Sequence, residues 1–370
     1  MIGLLVSQFT QSIAVCGCHG KTNTTSFIAF LLHKLNLDPT YFVGSSSFSG
    51  LPAGQYGASE YMVFEADEYG VCPPEDKTSK LLYNKPKNVL CLNLDHDHPD
   101  IYPQFSDVKD TFLRYFNEQV QSEGNIFLNG DDDNLVEMKK KVAKKTTTFG
   151  FNESNDVIVT IVNQSEEKTT ISLNILEQSF EFDLPFFGKL LITNIAGAIA
   201  LLISIGCDVN KIQNSTMAYT GAKRRMEKIF HSDGTWIFDD YAHHPTEIRA
   251  TLQAVRLRFP NKRIILLFQP HTFSRTKLLA IEFAESLSLA DLTLVAPIYP
   301  SAREKDDITV SSKMIEECAK SLKKTNVIAF STIHEYIASF SSNLRKGDVI
   351  FTMGAGDIYK LKNDIIRVLE

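Results

Sequence analysis

The chain has 370 residues, 44% hydrophobic and 22% charged, which is enough for two ordinary cores, and a formal net charge of −6. That balance leaves no basic footprint and argues against nucleic acid as a main partner. Cys16, Cys18, Cys72, Cys91, Cys207 and Cys318 are scattered without a C-x-x-C pair. Their spacing speaks against a disulfide framework or zinc site and for a reducing, cytoplasmic setting.

In chain order, Met1 to Val15 lacks a positive stretch ahead of its apolar residues and does not read as a signal peptide. Ser12 to Cys16 predicts a short buried strand. Thr22 to Leu35 predicts a helix, from the spacing of Phe27, Ile28, Leu31, Leu32 and Leu35. Between them lies Gly17-Cys18-His19-Gly20-Lys21-Thr22. Its glycines let the backbone approach an anion, and the N–H groups opening the helix face that anion with the positive end of the dipole. Lys21 supplies charge for outer phosphates, and the Thr22 hydroxyl is placed for Mg2+. Val15 stands where a full G-x-x-x-x-G-K-[ST] loop has its first glycine. A bare G-K-T is otherwise a turn before a helix, so the strand and helix context matters.

Met62 to Glu65 predicts another strand, ending in the acids of Glu65-Ala66-Asp67-Glu68. Asn88 to Asn93 predicts a third, running into Asp95-His96-Asp97-His98-Pro99-Asp100. Acids and imidazoles at the carboxyl ends of strands sit where open α/β sheets bind ligands. With a phosphate loop beside them, they suit Mg2+ held by few protein groups better than zinc. A solvated acidic loop is the plainer reading of each cluster.

Ser106 to Val120 predicts a packing helix and Asn125 to Asn129 a strand. Residues 155–184 predict an antiparallel meander lying beside the nucleotide sheet. Thr193 to Ile205 predicts a buried helix, too short and too interrupted to span a membrane. Beyond Gly221, strand-like runs at 226–230, 235–238, 263–268, 292–296, 326–330 and 348–353 alternate with helical stretches at 246–259, 276–289, 311–322 and 333–340. That alternation predicts a second, doubly wound domain, with the boundary in the polar run 213–220. Polar constellations follow three of its strands: Asp239 to Pro245, Gln269 to Arg275, and Gly354 to Asp357.

At these residues the chain resembles the Mur ligases, the ATP-dependent amide ligases of peptidoglycan synthesis. Gly17 to Thr22 is similar to the family's G-T-H-G-K-T, Glu65 to Glu68 to E-A-D-E, and Asp97 to Asp100 to D-H-x-D. Lys223-Arg224-Arg225, Asp239 to Glu247, Phe268 to Lys277 and Gly354 to Asp357 follow the later signatures in order.

The resemblance implies an α/β protein. Residues 1–216 would form a P-loop-type central ATPase domain with a mostly parallel sheet and a small antiparallel section. Residues 217–370 would form a Rossmann-like doubly wound C-terminal domain on the amino-acid side. It also implies ATP and Mg2+, and the branch of the family that joins L-alanine to UDP-N-acetylmuramate through an acyl phosphate. Residue by residue, Gly17, Cys18, His19, Gly20, Lys21 and Thr22 would hold the phosphates, with Lys21 on the transferred one. Thr22 and Glu65 would bind one Mg2+ and His98 a second. Asn194 matches an adenine-side position, Arg225 a phosphate contact and Asp240 a ribose contact. Tyr241, His243, His271 and Arg275 match positions around the incoming amino acid, where a guanidinium suits a carboxylate.

The sequence departs from the family in four places. The uridine-nucleotide domain that precedes the phosphate loop is not in this sequence, which leaves open a fragment, a separate chain carrying that domain, or a different acceptor. The family's G-x-H-N-x-x-N reads Gly188-Lys189-Leu190-Leu191-Ile192-Thr193-Asn194, with leucines for the polar pair. Cys18 and Asn23 replace threonines, and Thr272 stands where an arginine is usual. Three rival readings stand beside the L-alanine branch: murein tripeptide recycling, a polyglutamate-type ligase, and a degenerate nucleotide-binding subunit.

Overall fold

The structure is a computed structural model that describes residues 2–96, 98, 101–175, 178–300, 304 and 307–369. Two compact units divide it, Met1–Ala222 and Lys223–Glu370.

The first unit is built on one sheet. Its ten strands run in the order Gln178–Leu184, Thr169–Ile175, Val157–Gln164, Thr146–Gly150, Asn125–Asn129, Asn88–Cys91, Gln11–Cys16, Tyr61–Glu65, Thr40–Phe48, Leu51–Gln55. From Val157–Gln164 through Thr40–Phe48 neighbouring strands are parallel. The two strands beyond Val157–Gln164 are antiparallel, as is Leu51–Gln55 at the other edge. The meander predicted to lie beside the sheet is therefore part of it, because Val157 and Ile158 pair in parallel with Phe149 and Gly150.

Both faces of the central strands are buried, which is why they read as unbroken apolar runs. Ile13, Val15, Val63 and Leu90 pack toward the helices Lys21–Lys34 and Lys189–Ser204 through Phe27, Leu31, Ile195 and Ile199. Ala14, Cys16, Met62, Phe64 and Cys91 pack on Val108, Phe112 and Phe116 from the other side. The helix predicted over 106–120 is α-helical only over Phe105–Arg114 and then widens into a π-turn, Tyr115–Gln119. The strand predicted over 88–93 ends at Cys91.

The polar run 213–220 packs with the first unit. It finishes the helix Val209–Ser215 and then buries Tyr219, whose ring meets Phe27, Phe30 and Phe186 and whose hydroxyl lies 2.6 Å from Ser26 Oγ.

The second unit is doubly wound around a six-stranded sheet, in the order Glu227–Ser232, Thr235–Asp240, Val349–Met353, Ile264–Phe268, Leu292–Val295, Val327–Ala329. Every pair is parallel except the first. Phe238, Leu266 and Phe351 pack on one face against Leu252, Val255 and Phe283, while Ile237, Ile265 and Ile350 pack on the other against Tyr336, Phe340 and Ile365. The helix predicted over 276–289 starts earlier and is broken at Leu279, giving Phe273–Leu278 and Ala280–Leu287. Among the described residues no helix is long and apolar enough to cross a membrane.

Candidate active site

In the first unit the central strand Gln11–Cys16 delivers the glycine loop at its carboxyl end. Gly17 has φ 120°, and a Cβ there would come within 2.9 Å of the Asn93 backbone, so only glycine lets the loop pass the neighbouring strand end. Gly20, at φ 87°, caps the helix Lys21–Lys34. Side chains staple the loop in place. Asn93 Oδ1 accepts from His19 N–H and Asn93 Nδ2 donates to His19 O, each at 2.8 Å. His19 Nε2 lies 3.1 Å from Asp95 Oδ2, and Cys18 Sγ donates to Asp95 O at 3.1 Å.

Lys21 Nζ donates to Gly17 O at 2.6 Å and to both oxygens of Glu68 at 3.1 and 2.8 Å. Burial by itself would lower the Lys21 pKa, but the Glu68 carboxylate outweighs it and holds the ammonium above its ordinary range. The Thr22 hydroxyl donates to Glu65 Oε2 at 3.1 Å, and Glu65 Oε1 accepts from Gly44 N–H. His98 Nε2 stands 3.7 Å from Glu68 Oε1, with its ring edge-on to Tyr69.

The structure therefore brings Lys21, Thr22, Glu65 and His98 to the ends of adjacent strands. Thr22 and Glu65 form an oxygen pair of the kind a hard cation takes, with water and phosphate filling its remaining positions. Among the described residues no three His, Cys, Asp or Glu groups form a cage of their own. Asp97, Pro99 and Asp100 of the acidic-imidazole cluster lie outside the described residues. Asn194, on the helix Lys189–Ser204, is 1% exposed and packs behind Gly20.

In the second unit the three polar constellations follow three neighbouring strands. Asp240 and Phe268 are each in register with Met353, so the segments after them start from one row. Gln269 ties two of them together: its Oε1 accepts from Asp357 N–H at 2.9 Å and Ile358 N–H at 3.0 Å. Asp240, 6% exposed, accepts from Ala242 N–H at 2.8 Å and Met226 N–H at 3.1 Å. Its burial outweighs those bonds and pushes its carboxyl up to about 6.

The Arg225 guanidinium lies 5.1 Å from the Tyr241 ring centre. His243 Nδ1 is 3.0 Å from Tyr241 O and 3.5 Å from Glu247 Oε2. Burial lowers its pKa; Glu247 opposes that, and the charges of Arg275 and Arg225 add to it. His271 stacks on Tyr299, and Arg275 sits half-buried in Phe273–Leu278.

Two residues of weight were not singled out from sequence. Glu68 was one acid among several, and only its contact with Lys21 distinguishes it. Arg224 donates to Asp239 Oδ2 at 3.1 Å and to Gly354 O at 2.6 Å, and so joins the first and third constellations. A pair of arginines before a strand gives no sign of which one turns inward.

Comparison with known proteins agrees with this arrangement. Residues 15–202 match the Mur ligase middle domain and residues 224–356 the Mur ligase glutamate ligase domain. The chain is 36% identical over 368 residues to the UDP-N-acetylmuramate--L-alanine ligase of Caldanaerobacter subterraneus, spanning 98% of this chain and 76% of that one. To the enzyme of the same name from Desulfitobacterium hafniense it is 35% identical over 369 residues, 99% of this chain and 79% of the relative. In fold it is similar to the crystal structure of UDP-N-acetylmuramate-alanine ligase from Thermotoga maritima, with a TM-score of 0.75 at 23% identity over 98% of this chain and 76% of that one. The residues of these relatives outside the match belong to the same chain, so nothing here favours a separate chain carrying a uridine-nucleotide domain.

Proposed function

This chain belongs to the Mur ligase family, and from that premise we propose that it joins L-alanine to UDP-N-acetylmuramate at the expense of ATP, through an acyl phosphate. The observation that supports the reading most is the convergence of Lys21, Thr22, Glu65 and His98 at the ends of the strands Gln11–Cys16, Tyr61–Glu65 and Asn88–Cys91.

A free carboxylate is a poor electrophile because it has no leaving group. Transfer of the terminal phosphoryl group of ATP to the muramoyl carboxylate supplies one, and the amine of L-alanine then attacks the acyl carbon and phosphate departs. There is little covalent work for side chains, so the protein acts by positioning and by neutralising charge. The backbone N–H groups of Gly17 to Thr22 cradle the phosphates, and Lys21 bears on the one transferred. Thr22 and Glu65, with His98 on the second ion, are the residues that would hold Mg2+, which supplies positive charge against the phosphate oxygens.

Asn194 is assigned to the adenine side, Arg225 to a phosphate and Asp240 to the ribose. Tyr241, His243, His271 and Arg275 are assigned to the amino acid, with the Arg275 guanidinium matched to the alanine carboxylate. We place the reaction in the cytoplasm, the reducing setting that suits the free cysteines.

Incubating the chain with ATP, Mg2+, L-alanine and UDP-N-acetylmuramate should release phosphate and yield the alanyl product by mass spectrometry. Phosphate release only when a murein tripeptide replaces L-alanine would move the assignment to the recycling branch.

A further inference from the structure

Glu68 closes the strand-end motif Glu65-Ala66-Asp67-Glu68, and its side chain is 2% exposed. One carboxylate there serves two neighbours: Lys21 Nζ donates to both oxygens at 3.1 and 2.8 Å, and His98 Nε2 lies 3.7 Å from Oε1. The Glu68 backbone is itself pinned, since its carbonyl accepts from the Tyr102 hydroxyl at 2.5 Å and from Ser79 Oγ at 2.9 Å. The backbone that carries the carboxylate is thus held in place, and Lys21 reaches it on a long, flexible stem.

An ammonium has three donors. Those of Lys21 are directed to Glu68, to Gly17 O at 2.6 Å and, more weakly, to Cys18 O at 3.4 Å. A phosphate oxygen reaches Lys21 by displacing one of these acceptors. The carbonyls belong to the loop that cradles the phosphates, so losing them would deform the cradle, whereas Glu68 can give up a share of the ammonium without moving the backbone.

We propose that Glu68 is the positioning residue of the phosphate site: it competes with the triphosphate for the Lys21 ammonium and anchors Lys21 and His98 to one carboxylate. The proposal rests on the ligase reading above. By linkage, whatever free energy holds Lys21 on Glu68 is subtracted from the affinity for the triphosphate. Without the carboxylate, the buried Lys21 charge keeps only the more distant Asp67, which is itself paired with Lys80 at 2.8 Å, and an anionic nucleotide becomes its natural partner. Affinity then rises while aim is lost, because the ammonium no longer has a fixed anchor from which to meet the transferred group.

Glu68→Gln keeps the shape and removes the charge. With a non-hydrolysable ATP analogue and Mg2+ as probe, calorimetry on the full chain should show roughly 5- to 10-fold tighter binding than wild type, the scale of an ordinary coupling between sites. KM for ATP should fall while kcat also falls, by about tenfold or more for a lost positioning contact. The more conservative Glu68→Asp should lie between wild type and Glu68→Gln in affinity, with kcat below wild type. It carries the test alone if the glutamine variant does not fold. Weaker analogue binding in either variant, or an unchanged kcat, overturns the proposal. Wild-type chain that fails to bind the analogue would instead overturn the ligase reading.

Discussion

Asn194 stands directly behind Gly20: a methyl group on that glycine would lie 2.4 Å from Asn194 Nδ2. The helix Lys189–Ser204 therefore braces the phosphate loop from beneath, through a residue 173 positions farther along the chain than Lys21. Among the described residues, both polar atoms of this buried carboxamide lack a protein partner, a condition that ordinarily costs stability and calls for a reason.

Gly20→Ala meets two obstacles together, the contact with Asn194 and a backbone φ of 87°. Overpacking and left-handed strain each cost about 1–3 kcal/mol, so chemical denaturation should show a loss of that order or somewhat more, with nucleotide binding lost as well. The double variant Gly20→Ala/Asn194→Ala should recover the steric part and leave the φ cost in place.

Asn194→Leu separates stability from function. Replacing an unsatisfied amide by an apolar group of similar shape should leave the fold as stable or about 1 kcal/mol more stable. If Asn194 serves the adenine side, titration calorimetry should show ATP binding weakened by about tenfold, the value of one hydrogen bond of about 1.4 kcal/mol.

Asp240 gives a pH signature. Its folded carboxyl is pushed up to about 6 from an ordinary value of 3.8, so the folded state binds the extra proton between those values. Stability from this group is therefore highest at low pH and falls as pH rises from about 4 to about 6. Asp240→Asn should remove that slope. In urea melts the variant should match wild type near pH 4 and exceed it by about 2–3 kcal/mol at pH 8, because a tenfold change in proton affinity is worth about 1.4 kcal/mol.

Glu304 accepts from the Phe273 and Ser274 N–H groups and, at 2.7 Å, from the Ser274 hydroxyl. It thereby fixes the turn between His271 and Arg275. Burial would raise its carboxyl pKa, but the Ser274 and Phe273 bonds and the nearby His271 carry it below the ordinary range. Glu304→Ala should raise KM for L-alanine by about tenfold, on the scale of one charge-assisted hydrogen bond, and leave KM for ATP unchanged in steady-state assays.

The predicted strands of both units match observed ones closely where the strands are parallel and buried on both faces, as at Gln11–Cys16 and Ile264–Phe268. The hairpin Thr40–Phe48 with Leu51–Gln55 was not predicted. Its Gly44-Ser45-Ser46-Ser47 stretch and Pro52 have poor strand propensity. It is a strand because Tyr41 and Phe42 pair with Val63 and Phe64 of the neighbour already in place. Glu304 was equally illegible, since an acid 30 residues beyond the turn it caps leaves no periodic signal.

The order of elements, the glycine loop and the ordered motifs are written in the chain locally, because each depends on neighbouring residues, where backbone sterics and apolar spacing act directly. Which acid holds Lys21, which amide braces Gly20 and which arginine joins the strand ends of the second unit emerge from long-range packing. Those pairings couple residues 47, 174 and 130 positions apart, read as Glu68 with Lys21, Asn194 with Gly20, and Arg224 with Gly354. Such contacts are selected by the packing of whole sheets and helices, and no local rule of spacing encodes them.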